Sequence, residues 1–90
     1  MNATVVGLVT PHLLRVVDLA NQAEKGINVD WHVRDAVTST MNELRDQYNA
    51  QSLIAAYVEG LENAVSHADR KRDAYVRVLQ AAAAAARNPR

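Results

Sequence analysis

Any chemistry in this chain must come from three histidines, scattered carboxylates and a late cluster of cations. His67 has Asp69 two residues after it, a step that points the two side chains apart on a helix, and Glu62 five residues before it. Helical di-metal sites place Glu and His three apart, so neither spacing suits a metal. His12 and His32 each lack a second histidine at ligand spacing. Cysteine is absent, which removes thiolate metal sites and disulfides. The sequence holds no Ser/His/Asp set, glycine-rich phosphate loop or nucleotide motif. It therefore predicts no catalytic residue, no cofactor and no metal: not an enzyme.

The cations allow a second kind of chemistry, the gripping of anions. Arg70, Lys71, Arg72 and Arg77 are the candidate contacts for an anion or a nucleic acid, and Arg87 and Arg90 extend the basic end of the chain. The part before His67 is acidic, and the net charge is zero at pH 7. That balance disfavours whole-surface attraction to nucleic acid or to an anionic membrane. Asp69 and Asp73 flank the cluster, and no aromatic residue interleaves it for base stacking. Basic residues late in a helix also suit its dipole, and long cationic side chains can snorkel from the end of a core. Trp31, the only tryptophan, is either the edge of a core or an anchor in a partner interface.

These residues need elements to hold them, and the chain reads as all-α. Between Leu53 and Ala86 the apolar residues recur at helical spacing: Ile54, Tyr57, Val58, Leu61, Val65, Tyr75 and Leu79 share one side. Glu59, Glu62, Ser66, Asp69, Asp73 and Arg77 form an unbroken polar stripe opposite. No proline interrupts the stretch, and Gly60 alone is tolerable. The pattern predicts one long helix over about residues 52–87, continuous through a capping-box-like Ser66–Asp69 and ending before Asn88-Pro89. Thr10-Pro11 looks like a helix start, a hydroxyl cap followed by proline at the first helical position. Gly26 looks like its stop, which gives a first helix at about 11–25. Asp30 looks like the N-cap of a second helix at about 31–48, carrying Val33, Val37, Met41, Leu44 and Tyr48. Residues 1–9 are expected as a loose or loosely packed arm or as an extra helical turn, because a lone strand there would leave its backbone groups unpaired.

Two family likenesses can be weighed on these residues. Trp31-His32-Val33 between two helices resembles the Trp-x-Gly hairpins exported by type VII secretion, but valine stands in the glycine's place. Tyr57 and Tyr75 are followed four on by Leu61 and Leu79, not by the acid of that export signature. In length the chain is similar to the all-helical chorismate mutases, whose sites need several inward cations, whereas only Lys71 and Arg72 face the apolar seam here. Neither likeness assigns a family.

Length completes the reading. A helix over 52–87 would be about 50 Å long, against about 22 and 27 Å for the two others. Part of its apolar side would overhang, and a second chain is the usual cover. The expected architecture is one domain over residues 1–90, a three-helix bundle or helical hairpin with a long C-terminal helix, dimeric. The expected function is a non-catalytic protein–protein interaction module: a small adaptor, a secretion-type chaperone, or a phage- or plasmid-borne regulator or inhibitor. Its partners would be a second copy and/or a helical protein. Ile54, Tyr57, Val58, Leu61, Val65, Arg72, Tyr75 and Leu79 would form the interface, with Arg72 setting register or partner choice. The alternative is a nucleic-acid-binding regulator that uses the basic C-terminal helix. The apolar run from Val5 to Ala20 is interrupted by Pro11, His12, Arg15 and Asp18 and has no basic residues before it. It reads as neither signal peptide nor membrane span, and the expected location is cytoplasmic.

Overall fold

In the computed structural model, which describes residues 3–87, four α-helices follow one another: α1 Ala3–Glu24, α2 Asp30–Arg45, α3 Ala50–His67 and α4 Asp73–Arg87. No strand occurs among the described residues. The short connections at 25–29, 46–49 and 68–72 force each helix to run back along its predecessor. The long-range pairs agree with that path. His12 of α1 meets Thr40 and Glu43 of α2, Leu13 of α1 lies over Gly60 of α3, and Arg72 beside the start of α4 reaches Glu24 at the end of α1. Every helix touches the other three, and the core lies where they meet.

The N-terminal expectation needs correcting. Helix α1 begins at Ala3, so of the two expectations for this segment the helical one holds and the arm does not, and Thr10-Pro11 lies inside the helix instead of opening it; Met1 and Asn2 lie outside the described residues. Val5, Val9, Val16 and Ala20 explain the extension, because they fall on one face and all are buried. Interior proline costs a helix about 3 kcal/mol, and burying two valines offsets this at about 1.5–3 kcal/mol each. The proline also sits where the loss is smallest. Pro11 and Gly7 are both exposed, so water can reach the Gly7 carbonyl that has no residue-11 N–H to accept. The Thr10 hydroxyl donates to the Val6 carbonyl at 2.6 Å, a bond back along the helix and not a cap.

At the other end of α1 the local chemistry decides. Gly26 takes φ 87°, its N–H donates to the Ala23 carbonyl at 3.0 Å, and the Ile27 N–H donates to the Gln22 carbonyl at 3.2 Å. That is the paired-bond stop which a left-handed glycine permits. Asp30 does not cap α2. It is the first helical residue, and its N–H donates to the Asn28 side chain at 3.1 Å. Helix α2 ends at Arg45, short of the expected residue 48, and Tyr48 lies fully exposed in the turn. Val33, Val37, Met41 and Leu44 are buried.

The larger correction concerns the C-terminal half. No single helix spans 52–87: the chain leaves the helix at Ala68, which is extended at φ −71° and ψ 145°. The Asp69 carboxylate accepts the Lys71 N–H at 2.9 Å and its carbonyl accepts the Arg72 N–H at 2.9 Å, forming a tight turn. Backbone groups freed by the break thus find partners nearby or in water. In return α4 folds back, and Tyr57, Leu61, Val78 and Leu79 are buried against the other helices, worth about 1.5–3 kcal/mol for each large apolar side chain. The longest dimension is 38 Å, too short for the expected rod of about 50 Å. The radius of gyration, 12.5 Å, is close to the value of about 12 Å for a compact chain of this length. The three-helix count is therefore replaced by four, and the overhang that called for a second chain does not exist. The expected stop before Asn88-Pro89, and Arg90, lie outside the described residues.

Candidate functional site

The eight residues expected to form an interface divide into two groups. Tyr57, Leu61 and Leu79 are buried inside the chain's own core and cannot meet a partner without unfolding it. Ile54, Val58, Val65, Arg72 and Tyr75 are half-buried at its edge. The apolar stripe was real, but most of its strongest members are covered by α1 and α4 of the same chain.

Arg72 likewise finds its acid at home. Its Nε and a terminal nitrogen donate to both Glu24 oxygens, at 3.0 and 2.5 Å, and the same terminal nitrogen donates to Asn21 Oδ1 at 3.0 Å. The guanidinium lies 3.8 Å above the Tyr75 ring centre. The hydrogen bond from Arg72, helped by its charge, holds the Glu24 carboxyl below its ordinary range against a smaller opposing effect of burial. The same bond raises Arg72. This two-pronged contact ties the start of α4 to the end of α1 and fixes how the hairpin closes. Arg72 thus sets register within the chain.

A hydroxyl, an imidazole and a carboxylate line up between α1 and α2. His12 Nδ1 is 3.4 Å from Thr40 Oγ1, and its Nε2 is 3.4 Å from Glu43 Oε2. With the proton on Nε2, His12 accepts from Thr40 and donates to Glu43. The Tyr57 ring meets the His12 ring edge-on at a centroid distance of 6.5 Å. The order resembles a nucleophilic triad, but Thr40 is only 2% exposed and Tyr57 is fully buried. A substrate has no path to the hydroxyl, so the arrangement is an interlock between helices. Tyr57 Oη is buried with no hydrogen-bond partner among the described residues. Burial pushes it above its ordinary value of 10.0, against smaller pulls from the nearby Thr40 hydroxyl and the Arg15 charge.

Of the other histidines, His67 Nδ1 lies 2.8 Å from the Asn63 carbonyl one turn back, and His32 is exposed. Among the described residues no group of three or more His, Asp or Glu is placed to hold a metal. No described helix is long and apolar enough to cross a membrane. Arg70, Lys71 and Arg77 remain exposed, with Asp69 and Asp73 among them, and Arg77 makes a 3.5 Å contact to Asp73.

What the outer surface does offer is a seam along α3 and α4. Ile54, Ala55, Val58 and Ala86 line a groove of about 480 Å³ whose rim carries Arg45, Glu59, Glu62 and Arg87. Val65, Ala83 and Ala84 line a second of about 340 Å³, again with Glu62 and Arg87. Glu62 and Arg87 pair with each other and separate the two grooves. Sequence periodicity pointed to Ile54, Val58 and Val65, whereas the alanines of α4 join them only because the chain turns at Ala68.

No protein-family model matches the chain, and neither a curated protein nor a solved structure matches it.

Proposed function

We propose that this protein is a non-catalytic protein–protein interaction module, of the adaptor or regulator type, whose outer α3–α4 seam takes a second copy of the same chain. The observation that supports this reading is the character of the seam. Its floor is apolar and built largely of Ala and Val, so another helix can approach closely, and its rim carries both signs of charge. A face with Arg45 and Arg87 on it beside Glu59 and Glu62 carries the opposite charges that a two-fold contact between copies would pair. The zero net charge adds no repulsion between copies. The closed-off Thr40 hydroxyl speaks against catalysis at the triad-like order of Thr40, His12 and Glu43. Arg72 is engaged by Glu24, which weakens the nucleic-acid alternative by its central cation.

Sedimentation analysis from micromolar to millimolar concentration tests this. Ala55→Lys and Ala84→Lys place charges in the two grooves at exposed positions, where the fold tolerates them. The wild type is expected to associate with increasing concentration and the double variant to stay monomeric. A wild type that is monomeric throughout, or a variant that associates equally well, overturns the proposal.

A further inference from the structure

A second surface, on the opposite edge of α4, has a different chemistry. The cleft between α2 and α4 has a volume of about 330 Å³ and is lined by Asp30, Val33, Arg34, Arg77, Val78, Ala81 and Ala85. Val33 and Val78 belong to the core and make its floor apolar. Its lining carries two arginines and one aspartate, and Asp73 stands beside Arg77 outside it. Arg34 has no ion pair or hydrogen bond among the described residues, and Arg77 has only its long contact to Asp73, with both side chains about four-fifths exposed (78% and 82%). An arginine fork left free, as that of Arg34 is, matches a carboxylate in geometry as well as charge, and the exposed Arg77–Asp73 contact is weak enough to exchange for another carboxylate. Trp31 stands one turn before Arg34 on α2 and is 79% exposed, and Ile27, four residues before it, is also exposed. An indole held this far out of the core contributes little to folding. Trp and Arg together are the side chains that most often carry the energy of a protein interface.

We infer that this cleft docks an acidic segment of a partner protein, with carboxylates on Arg34 and Arg77 and an apolar side chain on the valine floor. The surface is distinct from the α3–α4 seam, so it stands whether or not the chain self-associates. A nucleic acid would have to pass both Asp30 and Asp73 with a continuous phosphate backbone, whereas a peptide can place its carboxylates away from them. The room is that of one or two side chains.

Isothermal titration calorimetry reads binding at the cleft, and the fluorescence of Trp31, the only tryptophan and one turn from Arg34, is a second readout. The probe is a blocked hexapeptide alternating Glu and Leu, titrated into the intact protein, with the Gln-Leu hexapeptide and a duplex DNA as comparators. The acidic peptide should give a saturable change that weakens with added salt and loses at least about fivefold in affinity in Arg34→Gln and again in Arg77→Gln. Both positions are exposed, and circular dichroism verifies that the variants keep the wild-type fold. Equal binding of the Gln peptide, no saturable change, unchanged affinity in both variants, or tighter binding of the DNA would each overturn the inference.

Discussion

Replacing Tyr57 with Phe should make the protein more stable, although it removes a polar group from the centre of the core. The ring is fully buried between helices, and its hydroxyl has no partner among the described residues. A buried hydroxyl that gives up water without a replacement bond costs about 1–3 kcal/mol. Tyr57→Phe keeps the ring, its edge contact with His12 and nearly all of its volume, so the cost is removed and little else changes. The expected gain is at least about 1 kcal/mol, or about 4–8 °C in Tm for a domain of this size. The pH dependence gives an independent check. Because burial raises the Tyr57 pKa above 10.0, the unfolded chain ionises this hydroxyl at a lower pH than the folded one. Its contribution is intact below pH 10.0 and is lost as pH rises from there through the folded-state value. Urea titrations of both proteins between neutral and strongly alkaline pH should therefore show a steeper alkaline loss in the wild type. A Phe variant that is less stable by about 1 kcal/mol would show that the hydroxyl is bonded after all, to Thr40 or to a trapped water. An unchanged alkaline slope would refute the burial argument separately.

Other substitutions probe the joints of the fold. Pro11→Ala should restore a helical N–H in the middle of α1 and stabilise the protein by about 1–3 kcal/mol; a loss of stability in urea would mean that proline does begin a helix there. A Cβ at Gly60 would lie 2.6 and 2.9 Å from the two Leu13 methyls. Gly60→Ala should therefore fall short of its helix-propensity gain of about 1 kcal/mol and recover it in a Leu13→Ala background. A double-mutant cycle with coupling under about 0.5 kcal/mol would exclude that clash. The Glu24 carboxyl titrates below its ordinary 4.5 because of Arg72. Its contribution is complete above pH 4.5 and is lost as pH falls through the lower folded value. Acid unfolding followed by circular dichroism should show that part vanish in Arg72→Met; an identical acid profile would mean that the clamp does not hold α4.

Where a local signal met no opposition, the sequence could be read correctly. Gly26 stops α1 because its positive φ costs glycine nothing, and the Val33–Leu44 stripe of α2 is buried as its spacing requires. The misreadings arose where distant residues outweighed local preference. Thr10-Pro11 has the chemistry of a start, but Val5 and Val9 bury enough surface to carry the helix past it. Tyr48 keeps the period of α2 and yet lies in the solvent-exposed turn. Ala68 is a good helix former that adopts an extended conformation because the stripe on α3 needs α4 beside it. Periodicity shows that Leu61 and Leu79 must be covered, but cannot say whether the cover comes from the same chain or another. That choice decided the candidate site. Ile54, Val58 and Val65 remained available, and the cleft of Arg34 and Arg77 was invisible until α2 and α4 were placed side by side.

The run of alanine that lets α4 lie close against its neighbours also leaves its far end weakly held. Ala82, Ala83 and Ala86 are buried, but a methyl group contributes only about 0.8 kcal/mol against two to three times as much for a leucine. The last two turns of α4 therefore open at much lower cost than the Tyr57 and Leu79 layer beneath them. Their amides should exchange with deuterium well before those of α1, and a protease should trim the protein from that end while the remaining helices stay folded.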